Sequence, residues 1–386
     1  MNMMDTLLTL TNLGARPIGS PANQAAADFV RESLRSAGLE VEEQPYPCTA
    51  WEAEDVRLEL GNERLDATAN PFSLPCDVTA PLICAGTLTE LESVSARGKF
   101  LLLYGDLARA PLSPKSWFLK DERDERIIQI LESMQPAAII APSTSTDYYG
   151  QLTEDWELDL PAITVPAAVA RRLIRQADSP IHLKISAQRM PAQARNILAR
   201  KAGRESGRIV LCAHFDTKIN TLGASDNAAG MAVLLELAER LSKRESRFML
   251  EWVAFNGEEY LPIGDDEYLR RAESYLPDIR CAINLDGIGP MLASTSLTAL
   301  SMPETIEANL RQMLADFPGV VWVEPWYESN HSTFAMRGIP ALALSAVGAR
   351  SLAHQSYDDA EGISPAKLEE TAQLVEAALT RLESML

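Results

Sequence analysis

Residues 208–216 read RIVLCAHFD, and this segment decides the fold. Its apolar run at 209–213 does not alternate with polar residues, which is typical of a strand buried on both faces in a parallel sheet. Strand and helix patterns then alternate along the chain. They indicate a helix at 228–240, strands at 248–255, 280–285 and 339–344, and a last helix opened by Ser364-Pro365. The sequence therefore predicts an α/β fold with a mixed, mostly parallel sheet flanked by helices.

The composition restricts the classes of partner. The chain has 386 residues, of which 46% are hydrophobic, and its formal charge is 35 − 54 = −19. A surface this acidic repels nucleic-acid phosphates and anionic lipids. The N-terminus lacks the basic segment of a signal peptide, and no stretch approaches the ~18 apolar residues of a membrane span. These features favour a cytoplasmic protein that binds neither nucleic acid nor membrane.

The cysteine pattern agrees with a reducing compartment. The five cysteines are odd in number and form no CxxC pair, and they are Cys48, Cys76, Cys84, Cys212 and Cys281. Cys212 and Cys281 lie inside apolar runs, as small buried hydrophobic residues do. We expect free thiols, with a Cys76–Cys84 disulfide as the alternative.

Residues with metal-binding side chains fall where the predicted strands end or a helix begins. They are His214, Asp226, Glu258, Glu259 and Asp286. In open α/β sheets, ligands bind at the carboxyl ends of the strands. We therefore expect these side chains to meet at one edge of the sheet, joined by His354 from the polar segment before the last helix. Asp358 in the same segment is a candidate partner of His354.

Each of these residues taken alone has a simpler explanation. Asp226, like its neighbours, fits the N-cap of the helix at 228–240. The pair Glu258-Glu259 fits a solvated acidic turn, and His354 fits an exposed loop. Asp226 can serve a metal site only if a neighbour caps the helix in its place.

Taken together, two histidines, three carboxylates and a spare glutamate suit zinc, with cobalt or manganese as alternatives. Residues two apart on an extended segment point the same way, so Asp216 is placed to accept the second imidazole N–H of His214. Adjacent carboxylates in a loop diverge, so of Glu258 and Glu259 one can bind metal while the other takes a proton from water. Two ions about 3.5–4 Å apart would activate that water.

These motifs resemble, in order, those of the M28 family of metallo-aminopeptidases. The matching segments are His214-Phe-Asp216, Ser225-Asp226-Asn227-Ala-Ala-Gly230, Asn256-Gly-Glu258-Glu259, Asn284-Leu-Asp286-Gly-Ile-Gly289 and His354, preceded by Arg16-Pro-Ile-Gly-Ser20. The resemblance implies that Asp226 bridges two ions. It also implies that His214 and Asp286 complete one ion, and Glu259 and His354 the other.

The same resemblance implies further roles. Glu258 would be the general base, Asp216 would support His214, and the peptide between Asp226 and Asn227 would be cis. Two departures concern the substrate wall. Asn330 stands before His331 where the family often has Asp, and Gln-Ser follows His354 where the family often has Thr-Pro. His331 and Tyr357 are therefore alternative candidates for contacting the substrate or polarising its carbonyl.

The middle of the chain has a different pattern of apolar residues. Residues 49–189 contain short apolar runs separated by prolines, with one helical pattern at 126–134. They predict a β-rich domain inserted into a discontinuous peptidase domain of residues 1–48 and 190–386. Three segments resemble strands of a protease-associated (PA) domain, namely 98–104, 137–141 and 160–165.

The function expected from the resemblance is removal of N-terminal residues from peptides. Another zinc hydrolase of the same fold is the first alternative, whether carboxypeptidase, dipeptidase or glutaminyl cyclase. A non-catalytic binding protein on this scaffold is the second alternative, but it predicts broken ligands, and all five ligands and the base are present. The sequence leaves the preferred side chain and a homo-oligomeric state open.

Overall fold

The computed structural model describes residues 2–115, 117, 119, 121–143, 150–177, 180–349 and 353–386. The chain divides into two compact units, one of Met1–Cys48 with Gln193–Leu386 and one of Thr49–Ala192. The sequence placed these boundaries at 48/49 and 189/190. Both boundaries fall inside long strands, β1 (Glu40–Leu60) and β9 (Ile181–Lys201).

The first unit is built on a mixed sheet. Its strand order is β14 (Val320–Trp322), β13 (Thr295–Leu300), β15 (Ala341–Ala346), β12 (Ile279–Leu285), β10 (Arg208–His214), β11 (Met249–Phe255), β9 and β1. β10 pairs in parallel with both β11 and β12, and β12 pairs in parallel with β15. β9 and β13 pair antiparallel with their neighbours β11 and β15. The predicted α/β fold is confirmed, with parallel strands at its centre.

Helices cover both faces of this sheet. They are α1 (Met3–Thr11), α2 (Pro21–Ser36), α6 (Ala229–Leu241), α7 (Ile263–Ala272), α8 (Glu304–Met313), α9 (His331–Ala335) and α10 (Pro365–Met385). Ile209 and Leu211 of β10 pack into the core on the α6 side, while Val210 and Cys212 pack into the core on the opposite side. Both faces of β10 are therefore buried, which explains its uninterrupted apolar sequence.

The second unit contains a five-stranded sheet of its own. The strand order is β3 (Thr68–Ala69), β8 (Ala162–Pro166), β7 (Ala138–Ser143), β6 (Phe100–Leu103) and β5 (Leu82–Ala85), and β5 to β8 are parallel. β2 (Glu63–Leu65) and β4 (Cys76–Ala80) pair with β1 and β9.

Among its described residues, the second unit has more helices than the sequence predicted. In the part of this unit that the structure describes, the helices are α3 (Leu88–Ser93), α4 (Glu122–Met134) and α5 (Ala167–Arg175), whereas the sequence indicated one helix at 126–134. α3 and α5 are too short for the helical period to stand out in the sequence.

The five cysteines are free thiols, and Cys212 and Cys281 are buried. Among the described residues, no helix is both long and apolar enough to cross a membrane.

Candidate metal centre

The side chains at the carboxyl edge of the parallel strands converge as the sequence predicted. His214 is the last residue of β10, and Asp286 directly follows β12. Glu258 and Glu259 follow β11 after Asn256-Gly257, and His354 lies in the segment after β15. These four strands are parallel neighbours, so their ends lie side by side.

Asp226 lies between the two histidines. Its Oδ1 is 3.2 Å from Nε2 of His214, and its Oδ2 is 3.1 Å from Nε2 of His354. On the His354 side, Oε2 of Glu259 is 2.9 Å from the same Nε2. On the His214 side, Oδ1 of Asp286 is 3.4 Å from Nε2. Asp226 therefore has one carboxylate oxygen near each histidine, and its role as a bridge between two ions stays a prediction.

Two buried donor atoms of this group lack a hydrogen-bond partner in the described part of the chain, as expected for atoms that bind a divalent cation. Nε2 of His214 and Oε1 of Glu259 are buried and have no hydrogen-bond partner among the described residues. Ligand atoms of His214, Asp226 and Glu259 lie within 4.8 Å of one another, as do those of His214, Glu258 and Asp286. Four carboxylates with so few cationic partners repel one another, and imidazole with carboxylate is a donor set that zinc accepts.

The electrostatics of the site follow from this crowding. Burial by itself would lower the pKa of His214, but Glu258 and Asp286 outweigh it and raise that pKa well above its ordinary value. Burial would also lower the pKa of His354, but the carboxylate of Glu259 helps to raise that pKa well above its ordinary value. Burial, reinforced by repulsion from Asp286, raises the pKa of Glu258 well above its ordinary value. The site thus attracts positive charge strongly.

Asp216 connects the strand ends beneath the ligands. Its two carboxylate oxygens accept the backbone N–H groups of Glu258 and Glu259 at 3.3 and 3.2 Å. Nδ1 of His214 is 3.2 Å from the backbone oxygen of Asp216 and 3.6 Å from its Oδ1. The sequence predicted that the carboxylate of Asp216 supports His214, but the closer contact comes from the backbone oxygen of Asp216. The carboxylate instead accepts the backbone N–H groups of Glu258 and Glu259.

The turn before α6 resolves the two explanations of Asp226. Oδ1 of Asn227 accepts the backbone N–H of Gly230, and Nδ2 of Asn227 donates to the carbonyl of Leu285 at 2.8 Å. Asn227 thus serves the helix N-terminus, and Asp226 faces the histidines. The peptide between Asp226 and Asn227 is cis, as the resemblance implied.

His331 does not offer a ring nitrogen to a substrate in this structure. The side chain is buried, its Nε2 is 2.8 Å from the carbonyl oxygen of Trp326, and its Nδ1 is 3.3 Å from Nδ2 of Asn284. Burial lowers its pKa, and these partners fit a neutral ring that donates from Nε2 and accepts at Nδ1. The geometry therefore favours a role in holding the Trp326 segment over the predicted contact with substrate.

The structure gives Asn330 a hydrogen-bonding role that the sequence did not indicate. Its Nδ2 donates to both carboxylate oxygens of Asp265, at 3.1 and 3.0 Å, and the hydroxyl of Thr333 donates to the same carboxylate. Asp265 is buried. An aspartate at 330 would place two buried carboxylates in contact, whereas the amide of Asn330 donates to Asp265. The acidic Asp265 in a helical segment gave no signal of this pairing.

Tyr357 lies three residues after His354 and its side chain is 56% exposed. Asp358, which the sequence suggested as a partner of His354, accepts instead the backbone N–H groups of Ser225 and Asp226. The spacing of four residues from His354 gave no means of telling these alternatives apart.

Comparison with protein families gives a match over the part of the chain that holds these residues. Residues 196–379 match peptidase family M28. This match spans just under half of the chain and includes all the candidate metal ligands. The predicted resemblance is thereby confirmed for the peptidase domain, whereas the assignment of the inserted unit as a PA domain stays a prediction.

Curated relatives of this chain include two proteins named as aminopeptidases. The probable lipoprotein aminopeptidase LpqL of Mycobacterium tuberculosis is 28% identical over 297 residues, which cover 73% of this chain and 56% of LpqL. Aminopeptidase YwaD of Bacillus subtilis is 23% identical over 283 residues, which cover 72% of this chain and 59% of YwaD. The chain thus spans just over half the length of these relatives.

Solved structures share the fold of this chain. A zinc aminopeptidase from Bacillus subtilis superposes with a TM-score of 0.80 at 22% identity, covering 98% of this chain and 93% of that one. An aminopeptidase from Aneurinibacillus sp. strain AM-1 gives a TM-score of 0.79 at 23% identity, with the same coverage. At these identities, the similarity concerns the fold.

Proposed function

We propose that this chain is an aminopeptidase that binds two divalent ions, most suitably zinc, and hydrolyses N-terminal residues from peptides. The observation that carries the proposal is the placement of Asp226, whose two oxygens each face one histidine. His214 and Asp286 would hold one ion, and Glu259 and His354 the other. Relatives named as aminopeptidases support the reaction class.

Bound ions would supply Lewis-acid polarisation of the scissile carbonyl and lower the pKa of water. The chain's own residues would then handle the proton. Glu258 lies beside the His214 set, with Oε2 3.8 Å from Nε2 of His214. Its carboxylate would take a proton from the attacking water and deliver it to the leaving amine nitrogen. Asp216 would hold the backbone of Glu258 in place during this transfer.

Of the two candidates for polarising the carbonyl, solvent exposure favours Tyr357, whereas His331 is buried. Both ring nitrogens of His331 are already engaged with protein groups. Tyr357 is exposed on the segment that carries His354, and a phenol donates one hydrogen bond. Replacing Tyr357 by Phe should lower kcat and leave zinc content unchanged. An equal kcat in Tyr357→Phe would remove this role.

The general-base role is tested by Glu258→Gln. We expect zinc content to persist and kcat to fall by about 10²–10⁴, the usual range for loss of a general base. Glu245→Gln is the matched control, because the side chain of Glu245 is 84% exposed. Glu258→Gln with wild-type turnover would refute the assignment.

The reaction class is tested with peptides that differ only at their ends. A peptide with a free N-terminus should be cleaved, and its N-acetylated form should resist. Cleavage of the acetylated peptide would favour a carboxypeptidase. Cleavage restricted to dipeptides would favour a dipeptidase, and ring closure of N-terminal glutamine would favour a glutaminyl cyclase. No conversion of any peptide by zinc-loaded protein would favour the binding-protein alternative.

The partner and location assignments extend this proposal. A peptide is the expected partner, and the charge of −19 argues against nucleic acid. The cytoplasmic location stays a prediction, and one relative is named a lipoprotein. Fractionation of the expressing cells would decide between a cytoplasmic and a membrane-attached pool.

A further inference from the structure

Arg16 is a fully buried cation whose contacts are backbone carbonyls. Its Nε donates to the carbonyl of Phe215 at 3.0 Å, and its Nη1 and Nη2 donate to the carbonyls of Leu222 and Gly223 at 2.9 and 3.3 Å. Nη1 also reaches the carbonyls of Leu10 and Gly14. Phe215 follows the ligand His214, and Gly223 lies three residues before the ligand Asp226. One guanidinium therefore joins the supports of two ligands.

Asp358 holds the same turn from the other side. Its Oδ1 accepts the backbone N–H of Ser225 at 2.8 Å and its Oδ2 that of Asp226 at 3.2 Å. The backbone oxygen of Asp358 accepts the N–H of Ala224 at 3.2 Å. Asp358 also lies four residues after the ligand His354. This carboxylate therefore joins the turn of Asp226 to the segment that carries the second histidine.

Segment 222–226 is thus fixed at five consecutive residues. Its first two carbonyls face Arg16, and its next three N–H groups face Asp358. We call Arg16, Asp358 and this segment the Arg16–Asp358 clamp. The clamp links the strand end of His214, the turn of Asp226 and the segment of His354 in one chain of contacts, so it touches the supports of both ion sites.

We propose that Arg16 and Asp358 are positioning residues that hold Asp226 in its bridging orientation before any metal binds, so that both ions load together. The inference rests on the proposed two-ion site. The physical reason is that a bridging carboxylate must point one oxygen at each ion, and a turn that is fixed beforehand loses no conformational freedom on binding. Loss of a group that orients a metal ligand typically weakens metal binding by about 10- to 100-fold.

The charge of Arg16 adds to its geometry. Burial lowers the pKa of Arg16 to about 10, while Asp216, Glu259, Asp358 and Asp226 oppose that effect. The guanidinium therefore remains protonated near neutral pH beneath the carboxylates, and it offsets part of their mutual repulsion while the site is free of metal.

The test is a zinc titration in competition with a chelator on full-length protein. Asp358→Asn replaces one acceptor oxygen with an amide donor that faces a backbone N–H. Arg16→Lys keeps the charge but cannot reach the five carbonyls. We expect each variant to bind zinc about 10- to 100-fold more weakly and to lose both ions together. At saturating zinc, we expect kcat to fall more than KM changes.

Matched controls separate positioning from general stability. Asp359→Asn alters the neighbouring carboxylate, which bonds the N–H of Glu361. Arg189→Lys alters a guanidinium in the second unit that likewise donates to backbone carbonyls, those of Phe72, Trp156 and Leu158. Both controls should bind zinc as the wild type does, with urea unfolding measured for all four variants.

A measurement on the wild type covers the case in which the variants fail to fold. In metal-free protein, the clamp predicts slow hydrogen exchange for the N–H groups of Ser225 and Asp226, with little further protection on adding zinc. Rapid exchange before zinc is added would overturn the proposal, as would wild-type zinc affinity in both folded variants. Wild-type protein that binds no zinc would instead refute the two-ion function itself, so the two failures are distinguishable.

Discussion

Gly230, the second residue of α6, offers a sharp test of how the site is packed. A Cβ atom at this position would lie 2.1 Å from Oδ1 of Asn227 and 2.6 Å from the backbone oxygen of Leu285. Asn227 adjoins the ligand Asp226, and Leu285 adjoins the ligand Asp286. Gly230→Ala should therefore disturb both ligands without removing either.

Two opposing free energies decide the outcome of Gly230→Ala. Alanine in place of glycine stabilises a helix by at most about 1 kcal/mol. Against this, overpacking costs about 1–3 kcal/mol, and disruption of the hydrogen bonds that Asn227 makes to Gly230 and Leu285 costs about 1 kcal/mol each. Because the carbonyl of Leu285 belongs to a central strand and cannot easily move, we expect a net destabilisation of about 2–3 kcal/mol.

The assay is urea unfolding of Gly230→Ala with zinc affinity measured on the same protein. We expect the unfolding midpoint to fall and zinc to bind about 10- to 100-fold more weakly. Gly362→Ala is the matched control, since a Cβ at 362 meets no atom within 4 Å, and it should stay within about 0.5 kcal/mol of wild type. A Gly230→Ala protein that is as stable as wild type and binds zinc equally well would refute the packing account.

Three further predictions concern the polar network. Asp216→Asn places an amide donor opposite one of the two backbone N–H groups that the carboxylate accepts. We therefore expect a loss of about 2–3 kcal/mol in unfolding free energy and weaker zinc binding. Urea unfolding and chelator competition measure these two quantities, and wild-type values for both would count against the prediction. Burial raises the pKa of Asp265 from 3.8 to about 6. The stability that its protonated form contributes is therefore largely present at pH 4 and is lost as pH rises through 6. Asp265→Asn should remove this dependence, which amounts to about 2 kcal/mol in unfolding free energy between pH 4 and 7, and an unchanged dependence would contradict the assignment. Asn330→Asp should destabilise the fold more at pH 8 than at pH 5, because two carboxylates in contact must share a proton, and adding Asp265→Asn should restore stability.

Much of the site could be predicted because its information is local in the sequence. The apolar run of β10 shows that both its faces are buried, and the rule that parallel strands end at one edge then brings His214 and Asp286 together. The motif order supplied the shared role of Asp226, and the distances to both histidines agree with it.

The parts that escaped prediction depend on contacts between distant residues. Arg16 is 199 residues from Phe215 in the chain, and no periodicity reveals which carbonyls a buried guanidinium will meet. Asp358 was assigned to His354 because the two are close in sequence, whereas folding brings it to Ser225. His331 shows the same limit, since its burial and its partner Asn284 are set by tertiary packing.

The central claim is that Asp226 bridges two ions, and anomalous diffraction at the zinc edge tests it most directly. Crystals of the zinc-loaded protein should show two peaks about 3.5–4 Å apart. One peak should lie beside His214 and Asp286, the other beside Glu259 and His354, with the carboxylate of Asp226 between them. A single peak, or two peaks of which Asp226 contacts only one, would contradict the account.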